Sequence, residues 1–161
     1  MIEPTNFRPG KQQSMHIRIR KATKKDASAL AVLVRQLAKS EGKQSSFRGK
    51  DFIRDGLGRG RRFSAIVAVT GNIVIGYAAF HQGYDLESVT KGMYLIDLFI
   101  RKDYRGQQVG TSLIKTLTAK CKSSGIKWMA WNVSRDNADA IRFYESIKAR
   151  KNNSLRYWVG V

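Results

Sequence analysis

The most constraining feature of this chain is an apolar run that breaks into a basic, glycine-punctuated turn and restarts as a helix. The run is Leu95-Ile96-Asp97-Leu98-Phe99-Ile100, and the turn is Arg101-Lys102-Asp103-Tyr104-Arg105-Gly106-Gln107-Gln108-Val109-Gly110-Thr111. A strand that opens onto a helix through such a turn gathers free backbone N–H groups and the positive end of a helix dipole in one place. Val109, Leu113, Ile114, Leu117 and Cys121 fall on one face at helical spacing. Ser123-Ser124-Gly125 ends that pattern, with Gly125 as its C-terminal cap. Arg101, Lys102 and Arg105 add full charges beside the turn, which makes it a place to hold phosphate. An ordinary strand-to-helix turn with solvated cations has the same G-x-x-x-G spacing, so this stretch alone does not decide the matter.

A second segment does. Downstream lies Trp128-Met129-Ala130-Trp131-Asn132-Val133, a strand candidate, followed by Asn137-Ala138-Asp139-Ala140-Ile141-Arg142-Phe143-Tyr144. Together the two stretches resemble the GCN5-related N-acetyltransferase (GNAT) superfamily over roughly residues 16–150. That family binds the pyrophosphate of acetyl-CoA with Arg/Gln-x-x-Gly-x-Gly/Ala, which here reads Arg105-Gly106-Gln107-Gln108-Val109-Gly110. The family's Asn-x-x-Ala/Ser-x-x-Phe-Tyr appears as Asn137 to Tyr144. A narrower resemblance, to the diamine (spermidine/spermine-type) acetyltransferases, is carried by Gly83-Tyr84-Asp85-Leu86-Glu87 and by Gly92 to Ile100. That branch reads Tyr-Leu-Glu-Asp-Leu-Phe-Val where this chain has Tyr94-Leu95-Ile96-Asp97-Leu98-Phe99-Ile100.

The resemblance implies an α/β (α+β) fold: a mixed, mostly antiparallel central sheet of six to seven strands, a splayed central strand pair, and helices on both faces. It implies that acetyl-CoA is the cosubstrate, with no metal. The cofactor would be held by Leu98, Phe99 and Ile100 along the pantetheine arm and by Arg105, Gly106, Gln107, Gln108, Val109, Gly110 and Thr111 at the pyrophosphate. Asn137, Ala138 and Ala140 would complete that site, and Tyr144 would protonate the departing thiolate. Direct attack by a primary amine in a ternary complex would complete the transfer, with a backbone N–H of Leu98 to Ile100 holding the oxyanion. Asp85, Glu87 and Trp131 are candidates for the acceptor, a small diamine or amino-acid-type amine; a homodimer is implied too. Two departures stand out. Gln108 replaces the first motif glycine, where a Cβ narrows the room for close phosphate approach. Ile96 replaces the branch's glutamate and removes a candidate base. Asp97 remains, but strand alternation turns it to the face opposite Ile96.

Each candidate has a plainer reading. Tyr144 on a helix face is also a core tyrosine, Asn137 a helix cap, the Asp85–Glu87 pair a solvated loop, and Trp128 core packing. Cys121 sits on the apolar helix face as packing rather than as a nucleophile.

The chain has 161 residues, enough to bury a core in one domain. Residues 1–14 hold both prolines and read as a flexible tail, leaving 15–161 as the domain. No apolar run reaches membrane-span length, and the N-terminus has no apolar h-region. One cysteine excludes an internal disulfide and fits a reducing cytoplasm. Two histidines and one cysteine offer no metal-ligand spacing.

The net charge is +18, yet Lys91 is the only cation from Phe63 to Ile100, where Asp85, Glu87 and Asp97 also lie. A locally acidic middle thus sits inside a basic shell. The shell suits acidic peptides, which makes a protein or peptide N-acetyltransferase the alternative. From another class comes a nucleic-acid-binding module on a vestigial acetyltransferase fold. The cations are scattered, however, and no aromatic–basic motif accompanies them.

The remaining pattern predicts strands over 15–21, 63–69, 73–80, 93–100, 127–133 and 154–159, with a hairpin turn at Gly71-Asn72. It predicts a helix after Thr23, with Asp26 as capping-box partner and Leu30, Leu33, Val34 and Leu37 buried. A short helix over 50–57 and one over 136–147 complete the set, and Glu41–Gly49 and Gly83–Gly92 are read as connections.

Overall fold

The computed structural model describes residues 16–153, 157 and 159–160. The expected tail over 1–14 lies outside the described residues, as does most of the expected strand over 154–159. Five strands form one sheet in the order β1-β2-β3-β4-β5: β1 Ile17–Lys21, β2 Ser64–Thr70, β3 Ile73–Asp85, β4 Thr90–Ile100 and β5 Trp128–Ala130. The first four are antiparallel neighbours and β5 runs parallel to β4. The described sheet is therefore one or two strands smaller than the six to seven expected.

Helices α1 Ala27–Ser40 and α2 Gly49–Phe52 cover one face, and α3 Val109–Ser123 and α4 Ala138–Ser146 cover the other. Under α1 lie Ala65, Val67, Val69, Val74, Tyr77 and Phe99. Under α3 lie Ile66, Ala68, Ile75, Ala78, Met93 and Leu95. The alternation of β2 thus feeds two cores at once, as a sheet covered on both sides requires.

Asp26 anchors the start of the first helical segment. Its carboxylate accepts from the Thr23 backbone N–H at 2.7 Å and from both arms of Arg20 at 2.7 and 2.8 Å. The residue is 4% exposed, and the Arg20 contact holds its carboxyl at about 2, below the usual range. The turn at Gly71-Asn72 is as read, with Thr70 facing Ile73 and Gly71 at φ +54°. The segment over 83–92 differs from its reading as a connection. Both strands run through it and leave only Leu86–Val89 as the turn, because Gly83 and Gly92 pair in register and let Tyr94 and Trp128 pack over them.

β4 is the element that positions the site. Phe80 pairs with Leu95 and Ala79 with Asp97, so Ile96 is an extra residue, a β-bulge. Before it, Met93 and Leu95 face α3; after it, Leu98 and Ile100 do. The parity flips at Ile96, and Asp97 turns toward Tyr77. Pairing with β5 covers only Gly92–Tyr94 and stops short of the bulge, since a bulge bends and overtwists its strand. β5 is accordingly three residues long rather than the seven expected over 127–133.

Candidate active site

Beyond Tyr94, β4 has β3 on one side and, among the described residues, no strand on the other. That splay opens a cleft of about 100 Å³. Leu95 to Leu98 form one wall, Trp131 to Ser134 with Asn137, Ala140 and Tyr144 the other, and Leu37 and Glu41 close the end from α1. Trp131 and Tyr144 pack ring against ring at 4.9 Å.

Tyr144 projects from α4, whose N-cap is Asn137: its side-chain oxygen accepts from the Ala140 N–H at 3.1 Å. Asn137 and Ala140 both line the cleft, whereas Ala138 is exposed and outside it. Burial, with the nearby charge of Asp97, pushes the Tyr144 hydroxyl up to about 12. It therefore stays protonated at neutral pH.

Asp97 is half-buried and accepts a hydrogen bond from the Tyr77 hydroxyl, 3.0 Å from Oδ2. Burial raises its carboxyl, against the Tyr77 hydrogen bond, and Glu41 adds to the rise. Simple alternation placed Asp97 on the face away from Ile96. The bulge corrects this: both residues line the cleft.

The turn after β4 has the geometry of an anion cradle. Among the described residues, none of the backbone N–H groups from Gly106 to Thr111 donates to another protein group, while Ser112 makes the first helical bond, to Gln108. Gly106 (φ +74°) and Gln108 (φ +59°) are both left-handed, which turns successive N–H groups to one side. Gln108 thus occupies a conformation suited to glycine, at a cost of about 1 kcal/mol. The third motif position has a packing role. A Cβ on Gly110 would meet the Phe143 ring at 3.1 Å and Ile100 at 3.3 Å, so its lack lets α3 seat against α4 and β4. Arg105 ties the turn to the strand: its Nε donates to the Ile100 carbonyl at 3.1 Å and its guanidinium lies 5.6 Å from the Phe99 ring centre. The Ile100 carbonyl has that partner, and from Leu95 to Phe99 only the backbone groups turned away from β3 are open. Val109 is buried at the base of the cradle, and Thr111 is half-buried at its helical end.

Two expected residues are not brought to the cleft. Asp85 and Glu87 sit at the tip of the β3–β4 hairpin, where Asp85 accepts from the backbone N–H groups of Glu87 and Ser88. Asp85 pairs with Thr90 while Ala79 pairs with Asp97, which puts the tip about 20 Å along the strands from Asp97. The plain reading, a solvated turn, holds for this pair. Sequence reasoning in turn missed Glu41 and Tyr77. Glu41 is the lone acid between Asp26 and Asp51, a signal the charge pattern does contain. It pairs with Lys43 at 2.7 Å at the mouth of the cleft.

A splayed sheet, a row of undonated N–H groups and a tyrosine-lined cleft thus lie side by side. Residues 30–148 match the acetyltransferase (GNAT) family. The chain belongs to that family and is an N-acetyltransferase. It is 26% identical over 152 residues to the mouse thialysine N-epsilon-acetyltransferase, across 88% of this chain and 89% of that one. It is 26% identical to the human spermidine/spermine N(1)-acetyltransferase-like protein 1, across 92% of this chain and 23% of that protein. An integron cassette protein from the mobile metagenome of V. cholerae shares the fold at a TM-score of 0.77 and 22% identity, over 91% of this chain and 93% of that one. Among the described residues no helix is long and apolar enough to cross a membrane, and none group as metal ligands.

Proposed function

We propose that the chain transfers the acetyl group of acetyl-CoA to a primary amine of a small diamine or basic amino acid. The observation that carries this reading is the meeting of Asp97 and Tyr144 across one cleft, beside open β4 backbone and a cradle of unpaired N–H groups. The relatives named for thialysine and for spermidine and spermine support an acceptor carrying a second charged group. So does Glu41 at the mouth.

The cradle, Gly106 to Thr111, holds the pyrophosphate with neutral donors, which need no counter-charge to be desolvated. Gly106, Gln107, Gln108, Val109, Gly110 and Thr111 serve through their backbone, and Arg105 fixes the turn. Leu98 and Phe99 offer backbone groups to the pantetheine arm as a partner strand would. Asp97 takes a proton from the acceptor ammonium at Oδ1 while Tyr77 holds Oδ2. The freed amine attacks the thioester carbonyl, whose oxygen is held by a β4 N–H. As the C–S bond breaks, Tyr144 gives its proton to the sulfur. A thiol of ordinary pKa near 8.5 would be a weak base for a phenol at about 12. Burial in the same cleft raises the thiol too, which narrows the gap. The second proton on nitrogen leaves as the amide forms and restores the phenol. Asp97 releases its own to solvent.

The test is a thiol-release assay with acetyl-CoA over a panel of diamines, basic amino acids, monoamines and peptides. Turnover concentrated on the diamines and basic amino acids is expected. Turnover on peptides alone would move the acceptor to protein, as the basic surface allows. No acetyl-CoA-dependent thiol release would overturn the reading.

A further inference from the structure

The basic residues are scattered along the sequence, but the fold gathers some of them. Residues 20–26 and 48–62 together hold ten Lys and Arg against three Asp. Distant in sequence, the two stretches meet in space. The Ala22 N–H donates to the Ala65 carbonyl at 3.0 Å, which sets the end of β1 beside the start of β2. The Arg62 N–H donates to the Asp55 carbonyl at 2.7 Å and the Arg61 N–H to the Gly58 carbonyl at 3.2 Å, so the loop before β2 folds back on itself. A Cβ added at Gly49 would come within 3.2 Å of the Ala27 backbone, so α2 starts against the start of α1.

Lys24 and Lys25, Arg48 and Lys50, and Arg59 and Arg61 therefore share one corner. All six are exposed, and none forms an ion pair among the described residues. The three carboxylates are already engaged. Asp26 is buried with Arg20, Asp51 accepts from the Arg48 N–H at 2.8 Å, and Asp55 faces Arg54 and Arg62. The corner also lacks apolar handles. Phe52 is fully buried, Phe47 and Phe63 pack on the core under α1, and no large apolar side chain in either stretch is exposed. That leaves no ring for a single-stranded base to stack on and no wedge to enter a bilayer.

We propose that this corner docks the phosphate backbone of a nucleic-acid duplex, without regard to base sequence. A duplex carries about one charge per 1.7 Å of its axis, so cations on three chain segments meet several phosphates at once. The arginine forks match phosphate oxygens in pairs. The 14 residues of α1 separate the corner from Glu41 at the cleft mouth by about 21 Å. The corner and the cleft share no residue, so docking and acetyl transfer are separable.

The experiment follows the fluorescence anisotropy of a labelled DNA duplex of about 20 base pairs with the full chain, from about 50 to 200 mM salt. Micromolar binding is expected at low salt, with log K falling against log salt at a slope of about −4 to −5, the value for about five phosphates. Lys24→Gln, Lys25→Gln, Arg59→Gln and Arg61→Gln combined should weaken binding at least about tenfold and flatten the slope to about −1. Arg59→Gln with Arg61→Gln alone should give an intermediate loss. Acetyl transfer to a small amine by the fourfold variant should stay within about twofold of the wild type. Lys115→Gln, Lys120→Gln, Lys122→Gln and Lys127→Gln remove the same charge elsewhere and should cost less than about threefold in duplex binding. Equal losses from the two fourfold variants would make the binding a matter of net charge and overturn the docking surface. Absence of salt-sensitive duplex binding would overturn it too, as would tighter binding of a single strand. Tighter binding to polyglutamate would move the partner to an acidic protein, and tighter binding to phosphatidylserine vesicles would move it to a membrane; either overturns the proposal.

Discussion

The two halves of β4 are built for different tasks. From Thr90 to Tyr94 the strand has β3 on one side and, over Gly92–Tyr94, β5 on the other. Gly92 lies under the Trp128 ring so closely that an added Cβ would come within 2.0 Å of it. From Leu95 to Ile100 the strand keeps β3 and loses β5, and Asp97 turns from the α3 core to the cleft. One residue, the bulged Ile96, separates them. It is 50% exposed and adds little to the core, so its effect is geometric. A strand paired on both sides has its backbone groups satisfied and contributes stability. The same strand paired on one side has donors and acceptors left for a ligand.

If that division holds, changes in the open half should alter chemistry and changes in the closed half should alter stability. The largest effect is expected at Tyr144→Phe, which should lower kcat about 10²- to 10³-fold with the donor KM within about threefold. Near-normal turnover in that variant would remove the proton-donor role. Asp97→Asn should cost roughly 10²-fold in kcat/KM and flatten the acidic limb of the pH–rate profile. In the wild type that limb should lie above the ordinary aspartate range, because burial raises this carboxyl. In the closed half, Gly92→Ala should destabilise by about 1–3 kcal/mol in denaturant unfolding, since Trp128 must move to admit the Cβ. An unfolding midpoint equal to that of the wild type would break the comparison at its other end.

Two smaller effects sharpen it. Asp26 belongs to neither half, and its carboxyl at about 2 is depressed from 3.8. Its contribution, about 2 kcal/mol, is present above the unfolded value and is lost as pH falls from about 4 toward 2. Acid unfolding of Asp26→Asn should lack that component, with the amine-transfer pH profile of the surviving enzyme unaltered in shape. The smallest effect is expected at Gln108→Gly. It should raise stability by about 0.5–1 kcal/mol by relieving a left-handed glutamine, and it should lower the donor KM by removing a Cβ from the cradle.

The turn after β4 and the start of α4 were legible because their motifs are local. Arg105 to Thr111 and Asn137 to Tyr144 are contiguous, and a turn followed by a helix orients its own N–H groups whatever surrounds it. The Asn137 cap and the Gly71-Asn72 hairpin were readable for the same reason. Asp85 and Glu87 misled because an acidic pair near a resembling motif looks like a cation anchor, while only the hairpin's length shows where its tip lies. Glu41 and Tyr77 escaped because their role depends on contacts across long sequence separations: α1 ends against the cleft, and Tyr77 reaches Asp97 across a strand pair.

By itself the sequence determined the alternation that feeds two cores, the strand–turn–helix with its undonated N–H groups, and the family to which the chain belongs. Only the tertiary structure decided which way Asp97 faces. Alternation counts residues along one strand, whereas a bulge is set by register against its neighbour, and that register is a property of the sheet. For the same reason, no reading of Ile96 as a missing carboxylate could show that Asp97 lines the same cleft.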